Sequence, residues 1–282
     1  MATDNLQSQR LELKYLIPEP VALGIRDYVS THLTLDEFGA GQPDLSYPIH
    51  SLYLDSDRLS LYWQTVNGNK NRYKLRVRYY DDKPDSPVFF EIKRRMNEAI
   101  LKQRGGVKRT GAAELLAGRI PPMEDLLSQD PKHLSALQNF CQMMIQLKAR
   151  PVALVSYRRE AWVSAHNNSV RVTMDRQVEL DLDATSCLGA TMANPVCVFG
   201  KEVILELKFT GRFPSWFADL VRHFGVRQCS AAKYADGLSL MREAGRNPSP
   251  MAELVTAEAA QKIQARRESL MLAGERNGQV FA

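Results

Sequence analysis

The strongest pattern in the chain is the alternation of charged and apolar side chains in Arg72-Tyr73-Lys74-Leu75-Arg76-Val77-Arg78-Tyr79, residues 72–79. Side chains two apart on a β-strand share one face, so this spacing predicts a strand with four cations on one face and apolar side chains on the other. Like charges in such a row repel one another across neighbouring strands. The pattern therefore indicates a strand that faces something anionic.

The same two-residue spacing recurs in three Glu-x-Lys triplets, each of which would place a carboxylate beside an ammonium group on one strand face. The triplets are Glu12-Leu13-Lys14, Glu91-Ile92-Lys93 and Glu206-Leu207-Lys208, and Arg95 extends the second. Further candidates for the charged face are Arg158 with Glu160, and Arg171 with Thr173 and Asp175. A half-exposed sheet also alternates polar and apolar residues, but here Lys and Arg dominate strand after strand.

Alternating segments bounded by Gly, Pro, Asn or Asp predict eight strands. They are residues 9–17, 47–55, 71–80, 87–95, 100–108, 151–165, 170–182 and 201–209. Apolar residues at helical spacing predict five helices. They are residues 19–33, 111–128, 131–148, 214–224 and 231–245. This order favours an α+β fold, an eight-stranded antiparallel β-barrel with helices packed on its outside and the charged strand faces lining the lumen.

Composition limits the class of protein. The chain has 282 residues, 44% of them apolar and 24% charged, which excludes disorder and a coiled coil as overall descriptions. The net charge of +5 is mild, but residues 70–109 alone contain 13 Lys or Arg against 5 Asp or Glu. The positive charge is therefore local. Four irregularly spaced cysteines and no apolar run near the roughly 18 residues of a membrane span lead us to expect a cytoplasmic protein.

Several common sites are not predicted. The chain contains no Walker loop, no Gly-x-Gly-x-x-Gly turn, no His-Glu-x-x-His pair and no Gly-x-Ser-x-Gly elbow. A nucleic-acid partner is not expected, because no ribonucleoprotein-type motif accompanies the aromatic residues of the basic strand. A lumen rich in Lys and Arg with a few carboxylates instead suits a chain of phosphates with one or two divalent metal ions.

Seven segments together resemble, in order, the VTC domain, the polyphosphate polymerase domain of the vacuolar transporter chaperone complex, within the triphosphate tunnel metalloenzyme superfamily. The segments are residues 12–17, 51–55, 74–80, 89–95, 171–175, 206–208 and 230–234. The likeness covers roughly residues 9–245. We therefore expect a tunnel domain over residues 1–246 and a charged, helical tail over residues 247–282.

The resemblance implies a basic tunnel that binds triphosphate or polyphosphate together with Mn²⁺ or Mg²⁺. The residues that resemble its phosphate-contacting cations are Lys14, Arg76, Arg78, Lys93, Arg158 and Arg171. Further substrate-binding candidates are Lys74, Lys102 and Lys208. Glu206 resembles the principal metal ligand and Lys233 the essential lysine at the reacting centre, so these two are the catalytic candidates. The triplets add Glu12 and Glu91 as candidate metal ligands.

The expected activity is transfer of the γ-phosphate of ATP to a growing polyphosphate chain. Two alternatives remain open: a hydrolase that cleaves tripolyphosphate or nucleoside triphosphate in the same tunnel, and a non-catalytic polyphosphate-binding module. Arg10 stands where the wider superfamily's Glu-x-Glu-x-Lys motif has its first carboxylate, which favours the polymerase. Relatives of this domain couple synthesis to membrane translocation, so a membrane-embedded partner subunit is an expected companion.

Overall fold

The computed structural model describes residues 10–97, 99–165, 169–248 and 257–278. Eight antiparallel strands form one continuous sheet in the order β1-β10-β8-β7-β3-β4-β5-β6. They are β1 (Arg10–Ile17), β3 (Ser46–Asp55), β4 (Asn71–Tyr79), β5 (Pro87–Met96), β6 (Ala99–Lys108), β7 (Arg150–Val163), β8 (Val170–Leu182) and β10 (Val203–Thr210). Two short strands, β2 (Thr34–Leu35) and β9 (Val196–Cys197), pair at the margins of β7 and β8. The α+β class and the eight predicted strands are confirmed.

The sheet curls but does not close through backbone pairing. Its two end strands, β1 and β6, approach each other, yet no strand pairing joins them in the described part of the chain. Charged side chains cross the interior near this seam, where Lys93 Nζ on β5 donates to Glu12 Oε2 on β1 at 3.1 Å. The predicted barrel is thus a curled sheet whose seam is spanned by side chains.

The apolar strand faces point outward and are covered by helices. Helices α1 (Glu19–Ser30) and α6 (Ser215–His223) pack on β1, β8 and β10. On the opposite side, α4 (Ala112–Leu116) and α5 (Pro131–Leu147) cover β4, β5 and β6. Phe90 of β5 meets Phe140 of α5 edge-on, with ring centroids 5.0 Å apart. Because this burial stabilises the outside of the sheet, the charged faces are left for the interior.

Helix α7 (Lys233–Glu243) packs on the interior face at one end of the curled sheet. Tyr234 stacks on Tyr53 of β3 with ring centroids 4.8 Å apart, and its hydroxyl donates to Asp55. The helix lies so close to β8 that a Cβ atom at Gly237 would come within 2.7 Å of a Leu180 side-chain carbon. The apolar half of the interior therefore forms a core around α7.

One predicted helix is wrong in extent. Residues 111–128 form only α4 and a 3₁₀ turn at Met123–Asp125. Gly118 adopts a positive φ of 80° that ends the helical path, and the following Pro121-Pro122 pair cannot continue it. Two short helices, α2 (Glu37–Ala40) and α3 (Ser60–Val66), were not predicted.

The charged tail contains helix α8 (Ala257–Gly278). Arg266 of α8 contacts the start of α7, where it pairs with Asp236 and donates to the Ser230 carbonyl oxygen at 3.0 Å. Across the described residues, no helix combines the length and apolar character needed to cross a membrane.

Candidate active site

The interior faces of the strands converge on Glu206 of β10. Its carboxylate lies 2.7 Å from Lys14 Nζ on β1 and 3.5 Å from Lys233 Nζ on α7. It also pairs with Lys208 on its own strand and lies 3.5 Å from Arg159 on β7. Burial by itself would raise the pKa of Glu206, but these four cations hold that pKa well below its usual value. Glu206 is therefore ionised.

Lys233 enters this cluster from the first residue of α7. Its Nζ lies 2.6 Å from Asp175 Oδ2 on β8, and Arg159 binds the same carboxylate through two hydrogen bonds of 2.6 and 2.7 Å. Both cations also lie over the Tyr157 ring, with Lys233 Nζ 4.7 Å from its centroid. Asp175 is buried, yet Arg159 and Lys233 overcome that burial and lower its pKa. Lys233 is thus held between two carboxylates and an aromatic face.

A second carboxylate, Glu91 of β5, pairs with cations of the neighbouring basic strand β4. Arg76 Nε donates to Glu91 at 2.8 Å, and Lys102 Nζ lies 2.6 Å from its other oxygen. Arg78 and Arg104 approach at 4.0 and 3.6 Å. Glu91 is fully buried, and burial would raise its pKa, but Arg76 and Arg78 hold it below its usual value. The single negative charge of Glu91 is therefore shared by four cations, which leaves a local excess of positive charge.

Lys74 lies in this excess without a carboxylate of its own: in the described residues it has no ion pair. Burial, together with Lys14, Lys93 and Arg76, lowers its pKa to about 7. Nearby, Arg76 donates to the Tyr53 hydroxyl at 3.2 Å. Burial would raise the pKa of Tyr53, but Arg76 and Lys74 lower it to about 7. The described part of the chain thus offers Lys74 no carboxylate partner.

The predicted residue Arg158 lies on the other face of its strand. It pairs with Asp44 at 2.8 Å and with Ser46, away from the Glu206 cluster. Along β7 the odd-numbered residues Tyr157, Arg159 and Ala161 share the inward face, so the even-numbered Arg158 points outward. As a result Arg159 occupies the interior position that the sequence pattern assigned to Arg158.

The other predicted substrate-binding cations lie on the interior side. The inward cations of the strands are Lys14, Lys74, Arg76, Arg78, Lys93, Lys102, Arg171 and Lys208, and two more, Arg104 and Arg159, join them. Arg171 lies at the start of β8, where it pairs with Asp36 at 2.9 Å and donates to the Tyr47 hydroxyl. Arg104 was not predicted, although its two-residue spacing from Lys102 signals a shared face.

The predicted metal ligands divide into two groups. Glu12 and Glu206 both reach Lys14 Nζ, at 3.3 and 2.7 Å, whereas Glu91 shares no cation with either of them among the described ion pairs. No group of three or more Asp, Glu, His or Cys side chains able to hold a metal occurs in the described residues. Mg²⁺ and Mn²⁺ favour oxygen ligands, and Mg²⁺ commonly takes one or two carboxylates plus phosphate oxygens. Glu12 and Glu206 therefore fit an ion that a phosphate ligand would help to hold.

Comparison with known proteins yields distant structural likenesses and no match among curated proteins. A putative adenylate cyclase from Bacillus halodurans shares 14% identity at a TM-score of 0.46, over 80% of this chain and 94% of that chain. A protein from Pyrococcus horikoshii OT3 shares 12% identity at a TM-score of 0.42, over 83% of this chain and 99% of that chain. The mimivirus capping enzyme triphosphatase shares 11% identity at a TM-score of 0.31, over 79% of this chain and 91% of that chain.

A protein-family comparison is more direct. The VTC domain matches residues 9–242, which contain the whole curled sheet and nearly all of α7. The match includes every strand that contributes an inward cation and ends just before the last residue of the helix that carries Lys233. The resemblance found in the sequence is confirmed: the chain belongs to the VTC domain family.

Proposed function

We propose that this protein is a polyphosphate polymerase that transfers the γ-phosphate of ATP to a growing polyphosphate chain. The observation that carries the proposal is the position of Lys233, held at 2.6 Å from Asp175 and 3.5 Å from Glu206 within a cationic interior. Membership of the VTC domain family supports an enzyme that acts on triphosphate-containing substrates.

The charge balance of the interior supports a polyanionic ligand. Its cations outnumber the carboxylates Glu12, Glu91, Asp175 and Glu206, and Lys74 has no carboxylate within ion-pair distance in the described chain. A phosphate chain would neutralise this excess. At about 4 Å and an effective dielectric near 20, each cation–phosphate pair contributes on the order of 4 kcal/mol before desolvation is subtracted. Guanidinium groups such as Arg76 add two-pronged hydrogen bonds to phosphate oxygens.

The reaction itself needs positioning and charge neutralisation more than covalent help from the protein. A terminal phosphate oxygen of the polyphosphate chain attacks the γ-phosphorus of ATP in line. A new P–O bond forms, the bond from the γ-phosphorus to the β,γ-bridging oxygen breaks, and ADP leaves with that electron pair. Lys233 neutralises charge on the transferring group, while Asp175 and the Tyr157 face keep its ammonium in place.

Glu206 and Glu12 would hold a divalent ion, Mg²⁺ or Mn²⁺, which when bound adds positive charge next to the phosphate oxygens. The remaining contributions come from the chain itself. Arg159 fixes Asp175 through two hydrogen bonds, and Lys14 donates to Glu206 and to the Ala231 carbonyl oxygen at 3.1 Å. Lys14 therefore links β1 to the segment that precedes Lys233.

Incubation of the purified protein with ATP and Mn²⁺ or Mg²⁺ tests the proposal. Long phosphate chains on a gel, together with stoichiometric ADP, are the expected products. Orthophosphate without chains would contradict the polymerase and favour the hydrolase that uses water as acceptor. Tight polyphosphate binding with no turnover in either metal would contradict both enzymes and favour a binding module.

A further inference from the structure

Four aromatic side chains form an arc on the interior side of the sheet, and the proposed function does not use them. They are Phe38, Tyr47, Tyr80 and Phe89. Neighbouring ring centroids lie 5.7 Å apart for Phe38 and Tyr47, 6.4 Å for Tyr47 and Tyr80, and 6.2 Å for Tyr80 and Phe89. We call this group the aromatic arc.

The aromatic arc lies away from α7. On β3, Tyr53 stacks against Tyr234 of α7, and Asp55 accepts the Tyr234 hydroxyl. Tyr47 precedes Tyr53 by six positions on the same strand, which corresponds to about 20 Å at roughly 3.4 Å per residue. One end of the interior is therefore occupied by α7, and the aromatic arc lies toward the other end, with Tyr47 and Tyr80 at the margin of the apolar cluster around α7.

Two contacts connect the aromatic arc directly to the phosphate-binding cations. The guanidinium of Arg104 lies 3.5 Å from the Phe89 ring centroid, while its Nε lies 3.6 Å from Glu91. Arg171 donates to the Tyr47 hydroxyl at 3.3 Å. A ligand whose phosphates reach Arg171 or Arg104 would thus bring its adjoining group to the aromatic arc.

The aromatic arc is not a closed core. The side chain of Phe38 is 63% exposed, and Tyr80 and Phe89 are only partly buried, while Tyr47 is buried. Phe38 is held in place by its own helix, because Asp36 accepts its backbone N–H at 3.0 Å and also pairs with Arg171. Proteins that bind single-stranded nucleic acids stack bases on aromatic side chains beside a positively charged groove. The exposed ring of Phe38, next to Tyr47 and the cation Arg171, is a surface of that kind.

We infer that the aromatic arc is a subsite that stacks the purine base of the nucleotide substrate. This inference rests on the proposed function, since it assumes that the phosphate donor is a nucleoside triphosphate. The base of ATP lies at the end of the molecule opposite the γ-phosphate. When the γ-phosphate is at Lys233, the base extends away from α7, toward the end where the aromatic arc lies.

Titration of two ligands into each of two variants tests the inference. Phe38→Ala removes an exposed ring and should leave the fold unchanged, and Tyr80→Leu removes a second ring while keeping an apolar side chain. Isothermal titration should show the Kd for ATP rising on the order of tenfold in each variant. The Kd for inorganic triphosphate should stay within about twofold, because that ligand has no base to stack.

Ile145→Ala provides a matched control, because Ile145 is an equally exposed apolar residue, 63%, on the outer helix α5. It should change neither Kd. Equal changes for ATP and inorganic triphosphate, or no change for either ligand, would overturn the subsite. Failure of ATP to bind the unaltered protein while inorganic triphosphate binds would overturn the proposed function as well, so the two failures are distinguishable.

Discussion

Lys233 at the start of α7 and Asp175 in the middle of β8 form a buried ion pair with 2.6 Å between Nζ and Oδ2. The pair joins two elements that are 58 positions apart in the chain. Through this pair the side chain of Lys233, the first residue of α7, lies in the interior of the sheet. Its consequence is that the position of the lysine depends on how α7 is seated.

Lys233→Met should abolish turnover while the protein keeps its fold. The methionine keeps most of the volume, and Arg159 still pairs with Asp175 through two hydrogen bonds. Loss of a cation at the transferring phosphoryl group should lower kcat by about 10³-fold or more. ADP release from ATP measures kcat, and Lys201→Met, at an exposed site, serves as the control. A variant that retains full kcat would remove Lys233 from the reaction.

Glu206→Gln should abolish metal-stimulated turnover and destabilise the ligand-free protein. Lys14, Lys208, Lys233 and Arg159 would lose their common anion, and loss of one partner from a buried ionic cluster costs about 3–5 kcal/mol. Thermal unfolding should show a lower Tm that inorganic polyphosphate raises again. Glu124→Gln, at an exposed position, should behave as the unaltered protein. Metal-stimulated turnover at the normal rate would exclude Glu206 as a ligand.

Arg76→Lys should weaken phosphate binding although the charge is kept. Arg76 donates through Nε to Glu91 and through a second nitrogen to the Tyr53 hydroxyl, and a lysine has no fork with which to make both bonds. We expect the KM for ATP to rise about tenfold, equivalent to about 1.4 kcal/mol. Steady-state kinetics of this variant beside Arg58→Lys, at an exposed site, measures the effect. An unchanged KM would show that binding of ATP does not require the two-nitrogen geometry of the Arg76 guanidinium.

Anion binding at pH 8 should take up protons at Lys74. Burial, with Lys14, Lys93 and Arg76, lowers the pKa of this lysine to about 7, so it is largely neutral at pH 8 in the free protein. A bound phosphate chain would favour the charged form and raise that pKa. Tyr53, whose pKa is also lowered to about 7, would take up a proton for the same reason.

Titration calorimetry with inorganic triphosphate in two buffers of different ionisation enthalpy measures this uptake. Lys74→Met should reduce the uptake and Lys201→Met should not. The same shift predicts that the free energy of unfolding rises with pH between about 7 and 10.5, because the unfolded lysine still binds a proton there and the folded one does not. A binding heat independent of buffer would contradict the assignment.

Arg266→Ala should lower both kcat and Tm, because α8 holds the start of α7. Arg266 pairs with Asp236, whose carboxylate accepts the Ala232 backbone N–H at 2.7 Å, directly before Lys233. Its loss leaves a buried carboxylate without its partner, at a cost of about 1–3 kcal/mol. Arg266→Lys should restore part of kcat, and Arg276→Ala, at an exposed site of α8, should change neither quantity. Full kcat in Arg266→Ala would show that turnover does not depend on the contact between Arg266 and Asp236.

Local spacing was sufficient to predict the strands and most of their faces. Alternation in residues 72–79 places Arg76 and Arg78 on one face whatever the strand later packs against, because the side-chain period of a strand is two. The same rule places Lys14 with Glu12 and Lys208 with Glu206. The rule does not say which face of a strand turns inward when both faces carry a cation, as with the adjacent Arg158 and Arg159 of β7.

Everything that depends on distance across the interior was decided by the tertiary structure. The three Glu-x-Lys triplets look alike in the sequence, yet Glu12 and Glu206 meet at Lys14 while Glu91 is enclosed by Arg76 and Lys102. Which carboxylates share a cation depends on how the sheet curls, and that in turn depends on the packing of helices on its outer face. The sequence alone thus determined the strands and the sign of their charge, whereas the folded chain determined which charges meet.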